Sequence, residues 1–208
     1  MPAEIRADND PCWRRWRMPD WRQCEGELAG GEYPLERYLG GSEGRAVFLT
    51  RFASGRAAIK LAVAGQAQVG ELVERWNRAA NLYHPHLVRI FAAGTWALGG
   101  MPLAYLVMEY AEENLEEVLR ERPLSTDETR EMLEPVADAL AYLHGQGLVH
   151  GNLKPSNILG LEDTVKISSE AVSAGDPARR HPGTGSNAGT GFNANSGNRH
   201  ARQPGSRG

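Results

Sequence analysis

His150-Gly151-Asn152-Leu153-Lys154-Pro155-Ser156-Asn157-Ile158-Leu159 is the stretch on which the reading of this chain turns. It sets a histidine, two amide side chains and a lysine close together and ends on an apolar pair. An amide is a negligible base near neutral pH, so Asn152 can hydrogen-bond a hydroxyl but cannot take its proton. Upstream, Ser125-x-x-Glu128 forms a capping box before a helix whose Met132, Leu133, Val136, Ala137, Leu140 and Leu143 share one face. Pro135 is expected to bend that helix, because it removes a backbone donor and crowds the preceding turn. Gly145 and Gly147 are its stop signals, after His144. Downstream, Val165-Lys166-Ile167-Ser168 leads into Ser169-Glu170-Ala171.

Further toward the N-terminus, the alternation from Tyr33 to Arg51 around Gly40-Gly41-Ser42-Glu43-Gly44 predicts a β-hairpin with a glycine-rich tip. Ala57 to Val63 reads as another strand. Glu71 to Leu82 carries Leu72, Val73, Trp76, Ala79 and Ala80 near helical spacing, and His84-Pro85 stops it. Strands are expected over Leu87 to Ala93 and Leu103 to Tyr110, and a short helix from Asn114 to Arg120.

The chain has 208 residues, enough for one substantial domain with extra terminal sequence. Its net charge of -3 suggests neither nucleic acid nor an anionic membrane as partner. Cys12 and Cys24 are too far apart for a C-x-x-C pair and read as free thiols in a reducing cytoplasm. No run approaches the ~18 apolar residues of a membrane span, and Glu4, Asp8 and Asp10 occupy the place of a signal-peptide core. A soluble cytoplasmic protein without a membrane span is expected. Residues 1–30 read as an extension in which Trp13, Trp16 and Trp21, among arginines, pack onto the domain that follows. Residues 174–208 contain eight glycines and one large apolar side chain, Phe192. Such a segment buries too little to offset the entropy of ordering, so it reads as a disordered tail.

The glycine-rich hairpin, the Ala58-Ile59-Lys60 strand, the helix ending at His84-Pro85, Val107-Met108-Glu109-Tyr110 and the loop at His150 occur in an order that resembles the protein kinase superfamily. The resemblance runs from about residue 33 to 171, with the serine/threonine type indicated by Leu153-Lys154-Pro155-Ser156-Asn157. It implies an α+β, protein-kinase-like fold: an antiparallel β N-lobe with one helix over residues 31–111, and a partial α-helical C-lobe over 112–173. In the family pattern H-R-D-L-K-P-x-N, the Asp accepts the substrate proton and the Asn holds magnesium. Here Gly151 and Asn152 replace the Arg and Asp.

The resemblance implies an ATP cleft walled by Leu39, Gly40, Val47, Ala58 and Leu159, with Met108 as gatekeeper and the backbone of Glu109 and Ala111 facing an adenine edge. Lys60 and Lys154 would contact phosphates, and Asn157 would be a weak metal ligand. Ser42 and Arg45 stand where the second and third loop glycines belong, so the tip reads as a structural turn as readily as a phosphate clamp. The glutamate paired with Lys60 would be Glu71 or Glu74, since the usual interval lands on Arg75 and one residue turns a helix by about 100°. Ser169-Glu170-Ala171 replaces D-F-G. A neutral serine cannot hold magnesium, and Glu170 stands where the Phe packs, so a loop without Mg2+ is expected.

Three functional readings follow from the resemblance. The first is a pseudokinase that binds ATP weakly and acts through a protein partner; the second is an active serine/threonine kinase with a protein substrate. The third is a truncated remnant, suggested by the abrupt change of composition and the lack of an A-P-E motif. The first accounts best for the substitution of both catalytic aspartates.

Overall fold

The computed structural model describes residues 20–175. A 3-10 turn, Trp21–Cys24, is capped by the Asp20 carboxylate, which accepts from the Arg22 amide at 3.2 Å. The pair β1 (Leu28–Ala29) and β2 (Tyr33–Pro34) follows, then β3 (Arg37–Ser42), β4 (Arg45–Phe52), β5 (Gly55–Val63), helix α1 (Gln66–Ala79), β6 (Ile90–Leu98) and β7 (Met101–Glu109). The last five strands form one antiparallel sheet in the order β3-β4-β5-β7-β6.

Alternation along these strands assigns the two faces of the sheet. Ala57, Ile59 and Leu61 of β5 join Phe48, Leu103 and Val107 in a core covered by Trp21, Cys24, Ala29, Tyr33 and Leu35. Ala62 faces the other way, where α1 buries Val69, Trp76 and Ala79 against it with Ala104 and Leu106. Ala58 and Lys60 share that second face but lie beyond the helix and open onto a cleft. The expected packing of an N-terminal aromatic onto the domain is seen at Trp21; Trp13 and Trp16 lie outside the described residues.

Two elements differ most from expectation in their bounds. Helix α1 begins at Gln66, because the Gln68 side chain accepts from the Gly65 amide at 3.1 Å and caps the start. Strand β6 begins at Ile90, not Leu87, and continues to Leu98, where Gly99 and Gly100, both with positive φ, close a two-residue hairpin to Met101. Residues 86–88 are instead bonded to the lower half: Val88 N–H donates to Ile167 O and Ile167 N–H to His86 O, each at 2.9 Å.

The lower half contains β8 (Glu113–Asn114), α2 (Leu115–Glu121), α3 (Thr126–Gly145), β9 (Leu148–Val149), β10 (Ile158–Leu161), β11 (Thr164–Ile167) and β12 (Ser173–Ala174). The capping box before α3 is reciprocal: Glu128 N–H donates to Ser125 Oγ at 3.2 Å and Ser125 N–H to Glu128 Oε2 at 2.8 Å. The helix runs through Pro135 and buries Val136, Ala139 and Leu143 against Leu87, Ile167 and Val172. Ser173–Ala174 pairs with Leu148–Val149, so chain read as the start of the tail belongs to the domain, while residues 176–208 lie outside the described residues. The architecture is α+β, with one helix on the upper sheet and two in the lower half among the described residues. None of those helices is long and apolar enough to cross a membrane.

Candidate functional site

A cleft of about 530 Å³ separates the two halves. From above it is lined by Leu39 and Gly40 of β3, Val47 of β4, Ala58 and Lys60 of β5 and Met108 of β7. Glu109 and Ala111 line its back, and Lys154, Asn157 and Leu159 come from below. The structure therefore brings together every site residue named from the sequence except Asn152. A second cleft, of about 540 Å³, lies among α2, α3 and β10. It lacks the convergent lysines of the first, so the interlobe cleft is the stronger candidate.

Lys60 makes the defining contact of the cleft. Its Nζ lies 2.5 Å from Glu170 Oε1, with the two side chains 18% and 13% exposed. Neither Glu71 nor Glu74 is its partner. The apolar stripe of α1 rotates both outward, and both are exposed. Glu170, which the family pattern puts where the Phe packs, faces the cleft instead, because side chains past β11 alternate. Ile167 enters the lower core, Ser168 lines the cleft, and Ser169 turns back, where its hydroxyl donates to Val88 O at 2.7 Å. Glu170 then returns to the cleft. The residue standing for the metal-binding Asp thus points away, and its neighbour carries the charge inward.

The loop that opened the reading is held from beneath. His150 is buried, with Nε2 2.7 Å from Ser168 O, and its Nδ1 accepts from Asn152 N–H at 3.3 Å. Burial pushes the imidazole pKa down, against the smaller opposing effects of the Ser168 carbonyl and the Glu170 charge. Gly151 has φ 72°, a left-handed conformation that favours glycine and accounts for its presence there. Asn157 Nδ2 donates to Asn152 O at 2.7 Å, which turns Oδ1 to its other side. The Asn152 side chain is exposed and outside the lining of the cleft.

At the back, both carboxylate oxygens of Glu109 accept from Lys166 Nζ, at 2.9 and 2.8 Å, and Oε2 also accepts from Arg89 N–H. The side chain of Glu109 is thereby committed to the seam between the halves. At the hairpin tip, a Cβ on Gly41 would collide with the Arg45 carbonyl. Glycine at 41 is therefore demanded by the hairpin itself, which favours the structural reading of the tip.

The apolar walls fit a flat heterocycle, as cofactor pockets generally do. The residues do not fit magnesium. At phosphate sites that ion is held through one or two carboxylates with phosphates and waters; here Ser169 is turned to Val88 O, and Glu170, its neighbour in sequence, is engaged by Lys60. Sequence reading missed Ser168 as a lining residue. The signal was available in the alternation of β11, which places Ile167 in the core and hence its successor on the opposite side.

A model of the protein kinase domain family matches residues 41–169. The chain is 30% identical over 142 residues to the serine/threonine-protein kinase PrkC of Bacillus subtilis, across 64% of this chain and 21% of that protein. It is 27% identical over 170 residues to CBL-interacting protein kinase 21 of Oryza sativa subsp. japonica, across 77% of this chain and 32% of that protein. It spans less than a third of the length of either relative. The PknI kinase domain of Mycobacterium tuberculosis aligns with a TM-score of 0.59 and 25% identity, over 71% of this chain and 62% of that one.

Proposed function

Because the chain belongs to the protein kinase family, we propose that it is a pseudokinase: a serine/threonine-kinase-like module of the cytoplasm that binds ATP weakly and acts through contacts with a protein partner. The observation that carries this reading is Ser169, which stands where the magnesium-holding Asp belongs and turns its hydroxyl to Val88 O. In a working kinase the lysine holds phosphates and the Asp holds magnesium. Here Lys60 has a carboxylate partner, Glu170, but the position of the Asp holds a neutral serine that faces away from the cleft. Asn152 adds a second deficit, because its amide cannot act as base.

The test is transfer of labelled γ-phosphate from ATP to a general protein substrate, or to the chain itself, by the purified protein with magnesium or manganese. The expected result is no transfer above that of Lys60→Met. Transfer that Lys60→Met abolishes overturns the proposal and makes the protein an active kinase.

A further inference from the structure

We propose that two copies of this chain pair edge to edge along β6, as antiparallel strands about a two-fold axis at Thr95, joining their five-stranded sheets into one. The pairing does not depend on what the interlobe cleft binds.

β6 is the last strand of the sheet, with β7 on one side and no strand on the other. The two-residue hairpin at Gly99 and Gly100 makes Leu98 and Met101 a mutually bonded pair. Bonded pairs then recur at every second residue, Trp96 with Leu103 and Gly94 with Tyr105. The amides and carbonyls of Ala93, Thr95 and Ala97 therefore point to the open side. No turn or loop among the described residues takes them up, and Thr95 and Ala97 are exposed.

An open edge pairs with another chain unless charge, proline or a bulge prevents it. The opposite edge of the sheet is protected in this way. β3 begins with Arg37, is bulged between Tyr38 and Gly40, and gives its Tyr38 amide to the Glu25 carboxylate at 2.7 Å. From Ala92 to Leu98, β6 has none of these devices. Its irregularity lies at its start, between Ile90 and Ala92, and no residue from Ile90 to Met108 is charged.

The second copy is the occupant because β6 complements itself. Ala92, Gly94, Trp96 and Leu98 share the outer face, and Ala93, Thr95 and Ala97 the face toward α1. With Thr95 on the axis, Trp96 stands opposite Gly94 of the second copy and Leu98 opposite its Ala92, large against small in both pairs. On the other face Ala97 meets Ala93, and the two threonines meet each other in a favourable cross-strand pair. Arg89 falls beyond the paired segment, so no like charges are brought together. Thr95 also lies among the residues whose backbone groups are open, so the axis passes through a bonded pair.

Sedimentation of the full chain over about 1–100 μM tests the pairing, since so short a strand pair is expected to bind weakly. A monomer–dimer equilibrium is expected in that range, with the amides of Ala93, Thr95 and Ala97 exchanging more slowly as concentration rises. Thr95→Lys sets like charges against each other on the axis, and Thr95→Pro removes an outward amide without touching the bonds to β7. Each should weaken the dimer by about tenfold or more. A chain that stays monomeric throughout overturns the proposal. So does a dimer that both variants leave unchanged while folded by near-ultraviolet dichroism, because the copies then meet elsewhere. Slow exchange of the three amides in a monomer also overturns it, by placing another segment on the edge. Should neither variant fold, concentration-dependent protection of those amides in the unaltered protein decides alone.

Discussion

His150 shows how one side chain can couple the loop to the cleft. With Nδ1 accepting from Asn152 N–H and Nε2 against a carbonyl oxygen, the ring is satisfied as the neutral Nε2–H tautomer. A second proton, on Nδ1, would break the bond to Asn152. Burial accordingly lowers the pKa from its ordinary 6.5, and the unfolded chain takes up the proton first. The stabilisation is therefore fully present above the ordinary value and is lost as pH falls from there toward the depressed one. Thermal unfolding should shift to lower temperature between about pH 7.5 and pH 5.5, and His150→Gln should flatten that slope. Equal slopes for the two proteins would remove His150 from the account. At this scale the sequence was legible wherever a side chain's direction follows from strand alternation, as for Val47, Ala58 and Met108. It was not legible for the partner of Lys60, which lies 110 positions away and depends on which way Ser169 turns.

Between elements, a close fit lies on the outer face of the sheet, where Gly94 of β6 pairs with Tyr105 of β7. A Cβ on Gly94 would lie 2.5 Å from the Tyr105 hydroxyl, and one on Gly30 would lie 2.8 Å from the same ring. The ring also rests 5.6 Å from that of Tyr33, centroid to centroid. The glycines thus let one tyrosine lie flat between the sheet and the N-terminal segment. Gly94→Ala should destabilise the protein by about 1–3 kcal/mol through overpacking, measured by denaturant unfolding. Adding Tyr105→Leu should recover part of that loss, because neighbours in contact are not additive; full additivity would refute the contact. The same glycines explain what the sequence hid about the elements. Alternation located β3, β4, β5 and β7, and Ser125 with Glu128 located the start of α3. The expected strand stopped at Ala93, although Gly94 sits inside β6 and Gly99 and Gly100 close its hairpin. The start of α1 was obscured in a similar way, since its first residues are small and polar and its cap is a glutamine side chain.

At the level of the whole molecule, residues 86–89 join the two halves. They bond to Ile167 of β11 through two backbone hydrogen bonds, and Ser169 reaches Val88 O. Arg89 donates its amide to the Glu109 carboxylate and accepts from the Glu109 amide at its carbonyl. Lys166 closes the seam by holding Glu109 from β11, with its side chain 17% and that of Glu109 25% exposed. A seam built from both the last upper strand and the strand leading to Glu170 ties unfolding of one half to the other. Lys166→Ala leaves the Glu109 carboxylate with the Arg89 amide alone, which should cost about 1–3 kcal/mol. The loss should appear as one displaced transition, not as early melting of the lower half, because the remaining bonds of residues 86–89 still link the two. Among the described residues, near-ultraviolet dichroism reports Trp21, Trp76 and Trp96 of the upper half, and hydrogen exchange at Val136 to Leu143 reports α3. Coincident midpoints from these two probes would establish the coupling, and midpoints that separate in Lys166→Ala would show that Lys166, and not the backbone seam, holds the halves together.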